Sequence, residues 1–248
     1  MGGSLRINKN MPRLLSRLTE IFSSIPALCR GDHALIDHWM RQSPVFILCR
    51  TLPLIILGCG SYGLSMGLWR GWEMASYAGI KFPLVVIATL AVNALINGMF
   101  AMVLGSGITM RQSIQFLFTA FAIFALILGA LSPITIGMAL QGPLEEGPDA
   151  RTFHSITLLT HVFMISYAGI VSHSMLLGAL KKYAHTKIAG IQTFFAWLVG
   201  NLFVGAQIGW IARPFFGSPG NDIQFLRDDK FSSSFYESVF NSFQNILF

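Results

Sequence analysis

Five long apolar stretches, separated by short polar segments, dominate the pattern of residues along the chain. They cover about 44–69, 82–104, 112–140, 152–180 and 188–212. A bilayer core about 30 Å thick takes roughly 20 apolar residues of helix to cross, and each stretch is long enough. A backbone at that depth must satisfy its own polar groups, so each stretch is expected to be helical. The pattern therefore predicts an all-α polytopic membrane bundle of five transmembrane helices.

An amphipathic pattern precedes the membrane region. In the N-terminal tail, 1–43, apolar residues recur at helical spacing from Met11 to Ile25, while Arg13 and Glu20 fall on the other face. Such a helix would lie in the headgroup plane or dock onto a partner.

A second amphipathic pattern follows the membrane region. Ser234 and Glu237 are spaced as a capping box, and the apolar residues from Phe235 to Leu247 then share one face. We expect a helix here with the same two possible roles. The chain is thus divided into a tail at 1–43, a membrane domain at 44–213 and an extramembrane turn with a helix at 214–248.

The segments between the apolar stretches are short. They are predicted as loops at about 70–81, 105–111, 141–151 and 181–187. None has room for a soluble domain, so the chain is expected to form a single membrane domain with two tails.

Composition agrees with a membrane protein. Of the 248 residues 53% are hydrophobic and only 11% are charged, whereas soluble domains are about one quarter charged. The net charge is +6, but the 17 lysines and arginines form no cluster interleaved with aromatic residues. This excludes nucleic acid as a partner and leaves the lipid bilayer as the predicted one.

The basic residues near the membrane are evenly divided between the two sides. A cytoplasmic N-terminus is still favoured, because a basic tail without a signal sequence is hard to translocate. Five spans would then place the C-terminal helix on the outer, periplasmic side. Trp69, Trp72 and Trp210 would share the outer interface, as an aromatic belt does.

Sequence signatures of catalysis and of cofactor binding are missing. The chain has no HExxH and no pair of intramembrane aspartates, so we expect no enzyme activity. The three cysteines include no C-x-x-C pair, which argues against a disulfide framework or a zinc site. "GCGSYG" at 58–63 matches a dinucleotide fingerprint, but it lies inside an apolar stretch rather than after a strand. No cofactor and no metal are predicted.

The fourth apolar stretch contains three histidines, His154, His161 and His173. Haem held between membrane helices would need a ligand on a facing helix, and no other predicted span contains a histidine. Two roles remain open, namely hydrogen bonding between helices and a proton relay.

Small residues mark candidate packing faces. Gly63 and Gly67 are four residues apart in the first span, which suits close approach of a neighbouring helix or of a second copy of the chain. Ala168 and Ser172 form a similar stripe in the fourth span.

Buried polar residues suggest either hydrogen bonds between helices or a polar path. The candidates are Asn93, Asn97, His161 and Gln207. Hydrogen bonds of this kind are worth about 0.6–2 kcal/mol in membranes.

The segment "ARPFFGSPGNDIQFLR" at 212–227 ends the last apolar stretch. Pro214 and Gly217 break a helix there and allow a turn. The aromatic and basic residues around this turn are candidates for contact with lipid or a partner. They are Trp210, Arg213, Phe215, Phe216, Phe225 and Arg227.

Four strings carry a family resemblance. They are "SYGLSMGLW", "AGIKFPLVVIATLAVNALINGMFAMVLGSG", "LILGALSPIT" and "VGAQIGWIARPFFGSPGNDIQFLRDDKFSSSFYESV". Over about 44–240 the chain resembles a family of bacterial multi-pass membrane proteins of uncharacterised function, and its architecture is similar to that of the five-pass Yip family. The resemblance implies a five-helix membrane fold, but it supplies no activity and no site residues.

Two functions follow as expectations. The first is a non-enzymatic accessory or scaffold subunit of a complex in the bacterial inner membrane, with a membrane-protein partner or as a homo-oligomer. The alternative is a transporter or channel subunit for a small solute, an ion or a lipid, with a polar path between helices.

Overall fold

The computed structural model describes residues 23–143, 148–217, 222–227 and 234–247. It is 84% helical, and the described residues contain no strand, which confirms the all-α fold class. The helix predicted from Met11 lies outside the described residues, apart from its last positions.

Nine described helices follow one another along the chain. They are α1 (23–29), α2 (His33–Arg41), α3 (Pro44–Gly67), α4 (Trp72–Val103), α5 (Met110–Leu140), α6 (Pro148–Ser174), α7 (Leu177–Tyr183), α8 (Lys187–Ile211) and α9 (Phe235–Leu247). A 3₁₀ turn (Leu68–Arg70) extends α3, and α7 continues α6 after a break. The helices α3, α4, α5, α6 with α7, and α8 are long and apolar enough to cross a membrane. The chain is a multi-pass membrane protein.

The start of α4 corrects the predicted loop at 70–81. Only Gly71, with a φ of 93°, separates the 3₁₀ turn from α4, which begins at Trp72. A glycine adopts this left-handed backbone readily, so one residue is enough to reverse the chain. The polar residues Glu73 and Lys81, which suggested a loop, lie within the helix.

The fourth predicted span, 152–180, is also corrected. α6 ends at Ser174, and α7 begins at Leu177. Leu176 donates its backbone N–H to the carbonyl of His173, a tighter bond than the α-helical one. Met175 and Leu176 are apolar helix formers, so hydropathy does not reveal this break.

Polar side chains begin several of the helices. Ser43 accepts a hydrogen bond from Phe46 N at the start of α3, and Thr109 forms a full capping box with Gln112 at the start of α5. At α9, Ser234 accepts from Glu237 N at 3.3 Å, so the helix begins where its sequence predicted.

Helices α3, α4 and α5 pack tightly because glycines allow their backbones to meet. A Cβ added at Gly63 would lie 2.5 Å from the carbonyl oxygen of Ala78, and one at Gly67 would lie 2.5 Å from that of Met74. A Cβ at Gly58 would collide with the backbone of Ala125 in α5. The face predicted from Gly63 and Gly67 is therefore occupied by α4 of the same chain, and a second copy would have to use another surface.

The described part of the N-terminal tail packs onto the bundle. Trp39 and Ile36 of α2 are buried in the core shared with α5 and α7. Arg111 and Gln115 of α5 both donate hydrogen bonds to the carbonyl oxygen of Gln42, at 2.7 and 2.6 Å.

Candidate functional site

A large cavity lies on the α6 and α8 side of the bundle. Its volume is about 520 Å³, and its walls come from α4, α5, α6, α8, α9, the segment after α8 and, through Met66, the end of α3. We refer to it as the chamber. A volume of this size falls within the range of about 300–1,000 Å³ that is typical of small-molecule sites.

The chamber exists because small residues line it where larger ones would fill it. α8 contributes Gly205, Ala206 and Gly209, and α6 contributes Ser166 and Gly169. A Cβ added at Gly209 would meet no described atom within 4 Å. The small residues of α8 thus leave space beside the helix, whereas α6 and α8 come close at Gly169, where an added Cβ would lie 3.1 Å from Leu202.

The amphipathic C-terminal helix closes the side of the chamber. Phe235, Tyr236 and Val239 of α9 are part of the wall. The ring of Tyr236 stacks on Phe203 of α8, with ring centroids 6.2 Å apart. The beginning of α9 therefore covers the gap between α6 and α8, while Phe240 and Phe243 further along the helix are exposed.

One end of the chamber is built from the segment that ends the last span. Lys81 of α4 donates hydrogen bonds to the carbonyl oxygens of Pro214 and, at 2.6 Å, Phe225. Its Nζ also lies 5.2 Å from the ring centroids of Phe215 and Phe225. Lys81 is only 3% exposed, so a single buried cation ties this segment back onto the bundle.

Most of the residues predicted for lipid or partner contact meet at this end. Trp210, Arg213, Phe215, Phe216 and Arg227 line the chamber. The guanidinium of Arg213 lies 3.9 Å from the ring centroid of Trp210 and donates a hydrogen bond to its carbonyl oxygen at 3.1 Å.

Phe225 is the exception among these candidates. It packs beside Lys81 and edge-on against Tyr77, with ring centroids 5.4 Å apart, and is not part of the chamber wall. Its contribution is to hold the segment after α8 against α4.

His161 reaches the chamber from α6. Its Nδ1 is hydrogen-bonded to the hydroxyl of Tyr62 in α3 at 2.8 Å, and its ring stacks on Phe216 at 5.7 Å. Tyr62 was not predicted as a site residue. It lies 99 residues from His161 in the sequence, and a single tyrosine in an apolar helix carries no local signal of such a pair.

A polar network connects α4, α8 and α6. Asn97 donates to Oδ1 of Asn201 at 3.1 Å, and Nδ2 of Asn201 is 2.7 Å from Nε2 of His173. Nδ1 of His173 is 2.8 Å from the carbonyl oxygen of Gly169. That oxygen can only accept, so the proton sits on Nδ1, and Nε2 accepts from Asn201.

The polar candidates lie in different surroundings. His161 lines the chamber, whereas Asn97 lines a neighbouring cavity of about 20 Å³ that shares part of its wall with the chamber. Asn93 is fully buried, and neither atom of its amide has a hydrogen-bond partner among the described residues. Gln207 is half-buried and belongs to neither wall. The four polar residues that were predicted as one group therefore do not share one set of contacts.

The small stripe on α6 faces the protein interior. Ala168 is buried among apolar side chains that include Phe121 and Leu128 of α5. Ser172 is buried as well, and its hydroxyl donates to the carbonyl oxygen of Gly169 at 3.0 Å.

The chemistry of the chamber is that of a binding site for an apolar molecule. Most of its wall is aliphatic or aromatic, and among the described residues no carboxylate lines it. In the described part of the chain no three histidine, cysteine or acidic side chains are grouped as metal ligands.

No protein-family model, no curated protein and no solved structure matches this chain. The similarity to the bacterial multi-pass family and to the Yip family therefore remains a resemblance.

Proposed function

We propose that this chain is a non-enzymatic, lipid-handling membrane protein, whose chamber takes the apolar chain of one membrane amphiphile. The observation that supports the proposal is the chamber of about 520 Å³, kept open by Gly205, Ala206 and Gly209. This is the lipid form of the transport function that the sequence suggested.

The length of the chamber fits an apolar chain. Along α6 its wall runs from His154 to His173. At 1.5 Å per residue these positions are about 28 Å apart, close to the ~30 Å of a hydrocarbon core. An acyl chain would then pass from the bilayer into a cavity about as long as the hydrocarbon core is thick. α9 would separate this chain from the surrounding lipid on one side.

The proposed location is a bacterial inner membrane, with the N-terminus in the cytoplasm and α9 at the outer face. The basic N-terminal tail supports this orientation. The role of accessory or scaffold subunit stays a prediction, and it is compatible with lipid handling because a lipid-binding subunit also belongs in larger complexes.

The test is to fill the chamber and measure bound lipid. Gly209→Phe and Ala206→Phe add a ring to the wall, and Gly137→Phe is the matched control. Gly137 is a helical glycine of α5, and a Cβ there would also meet no described atom within 4 Å. Each protein is purified in mild detergent, and retained lipid is measured by native mass spectrometry and by extraction.

We expect the native chain and Gly137→Phe to retain lipid at a fixed ratio, and both chamber variants to lose most of it. Lipid retained equally by all four proteins, or by none, would overturn the proposal. The same spectra test the accessory-subunit prediction, because a partner protein would appear in stoichiometric amount.

A further inference from the structure

We propose that the chamber selects an anionic amphiphile, whose oxyanion headgroup is held by Arg213 and Arg227. This inference rests on the proposed lipid-handling function and adds the class of ligand. The two arginines belong to what we call the basic end of the chamber, which consists of Arg70, His154, Arg213 and Arg227.

The basic end is part of a built cavity. Arg213, Arg227 and His154 all contribute to the chamber wall. Arg70 lies behind the wall, since a Cβ added at Gly217 would be 3.0 Å from its Cγ. Three arginines and His154, from the 3₁₀ turn after α3, from α6 and from the segment after α8, therefore meet at one end of an otherwise apolar space.

The basic end lies next to the apolar walls of the chamber, an arrangement that matches the charged head and the apolar chain of an amphiphile. Arg70 ends the 3₁₀ turn that follows α3, and Arg213 follows the last turn of α8. Both sit where spans end, at the level of lipid headgroups, while the apolar walls continue inward. A molecule with its head at this end would place its chain in the chamber.

The described charged residues in the chamber wall have one sign. Among the described residues the chamber wall contains two arginines and no carboxylate. An oxyanion placed there would gain charge-assisted hydrogen bonds in a region largely removed from water, where such bonds are strong. A zwitterionic head would bring its own cation next to the arginines and lose part of this gain.

Arg213 is held in place before any ligand binds. It is 8% exposed, and its guanidinium is fixed by the ring and the carbonyl oxygen of Trp210. A guanidinium has five N–H donors, and its planar fork suits phosphate or carboxylate oxygens. Arg70, Arg213 and Arg227 also have partners within the chain, so a bound headgroup would share these donors.

Competition between two lipids tests the inference. The protein is placed in nanodiscs with equal amounts of phosphatidylglycerol, which is anionic, and phosphatidylcholine, which is zwitterionic. The retained lipid is then identified by native mass spectrometry after release into detergent. The variants are Arg227→Gln and Arg213→Gln, and the control is Arg151→Gln, an exposed arginine near the start of α6 that is not in the wall.

We expect the native protein and Arg151→Gln to favour the anionic lipid, and Arg227→Gln to reduce that preference about tenfold, which corresponds to 1.4 kcal/mol. Arg227 is half-buried, so its variant keeps the test decisive even if Arg213→Gln fails to fold. An added fatty acid tells the two headgroup classes apart, since its displacement of phosphatidylglycerol would indicate a preference for carboxylate and its failure to do so a preference for phosphate.

Two outcomes would overturn the inference while leaving the proposed function in place. In the first, lipid is retained without preference for charge. In the second, Arg151→Gln lowers the preference as much as Arg227→Gln does, which would indicate a general surface effect. Absence of retained lipid in the native protein would instead remove the proposed function itself.

Discussion

The two halves of the bundle use glycine in opposite ways. Where α3 meets α4 and α5, Gly58, Gly63 and Gly67 allow backbones to touch, and little space is left. Where α6 meets α8, Gly205 and Gly209 leave a cavity. Glycine therefore allows a dense contact where the facing helix lies close, and it leaves a cavity where the facing helix lies farther away.

Polar contacts follow the same division. In the dense half Ser65 and Thr135 meet directly at 2.5 Å between α3 and α5. In the open half three side chains in series, Asn97, Asn201 and His173, connect α4, α8 and α6. The first arrangement joins two helices, and the second joins three helices beside the chamber, whose wall includes Asn201 and His173.

The largest expected effect is in the dense half. Gly58→Ala places a Cβ against the backbone of Ala125, which has no side-chain freedom to give way. Overpacking of this kind costs about 1–3 kcal/mol, and sometimes more. The measurement is the free energy of unfolding in detergent.

Gly137→Ala is the matched control for this substitution, because nothing described lies within 4 Å of its added Cβ. It should be neutral or stabilising by up to about 1 kcal/mol, since alanine is the better helix former. Equal effects of the two changes would show that close packing of α3 on α5 does not stabilise the protein.

The next effect is in the open half. Asn201→Leu removes both hydrogen bonds of Asn201 and leaves Asn97 and His173 without that partner. We expect a loss of about 0.6–2 kcal/mol in the free energy of unfolding.

Gln207→Leu is the control, because Gln207 is also an α8 amide but lies outside this network. If Asn201→Leu costs no more than Gln207→Leu, another contact holds the walls of the chamber together.

The smallest effect concerns Asp37 of α2, which lies outside the membrane spans and pairs with Lys182 near the end of α7. Lys182 donates a hydrogen bond to Asp37, which lowers the pKa of that carboxyl below its ordinary value of 3.8. A lowered folded-state pKa gives stability that is present above the unfolded value and is lost as the pH falls through the folded one.

Asp37→Asn should therefore destabilise the protein at pH 7 by about 0.2–1 kcal/mol, the usual size for an exposed pair. The difference from the native chain should shrink below a pH of about 3.8, and high salt should also reduce it. Thermal midpoints between pH 7 and pH 3 measure this, with the exposed Asp222→Asn as control. A difference that stays constant with pH would rule out the ion pair as its source.

Local pattern alone determined much of this protein. Long apolar stretches predicted five spans, because only helices satisfy a backbone in lipid. Ser234 and Glu237 marked the start of α9, because a cap acts over three residues. The clustering of Arg213, Phe215 and Phe216 after α8 singled out one end of the chamber before any contact was known.

Tertiary structure decided what these elements do together. The hydrogen bond of Tyr62 to His161, the bonds of Lys81 to Pro214 and Phe225, and the bond of Asn97 to Asn201 all join residues about 100 or more positions apart. The chamber itself depends on which helix lies opposite each small residue. Periodicity and hydropathy describe one helix and the solvent around it. A cavity depends on the distance between packed helices, and no single segment of sequence determines that distance.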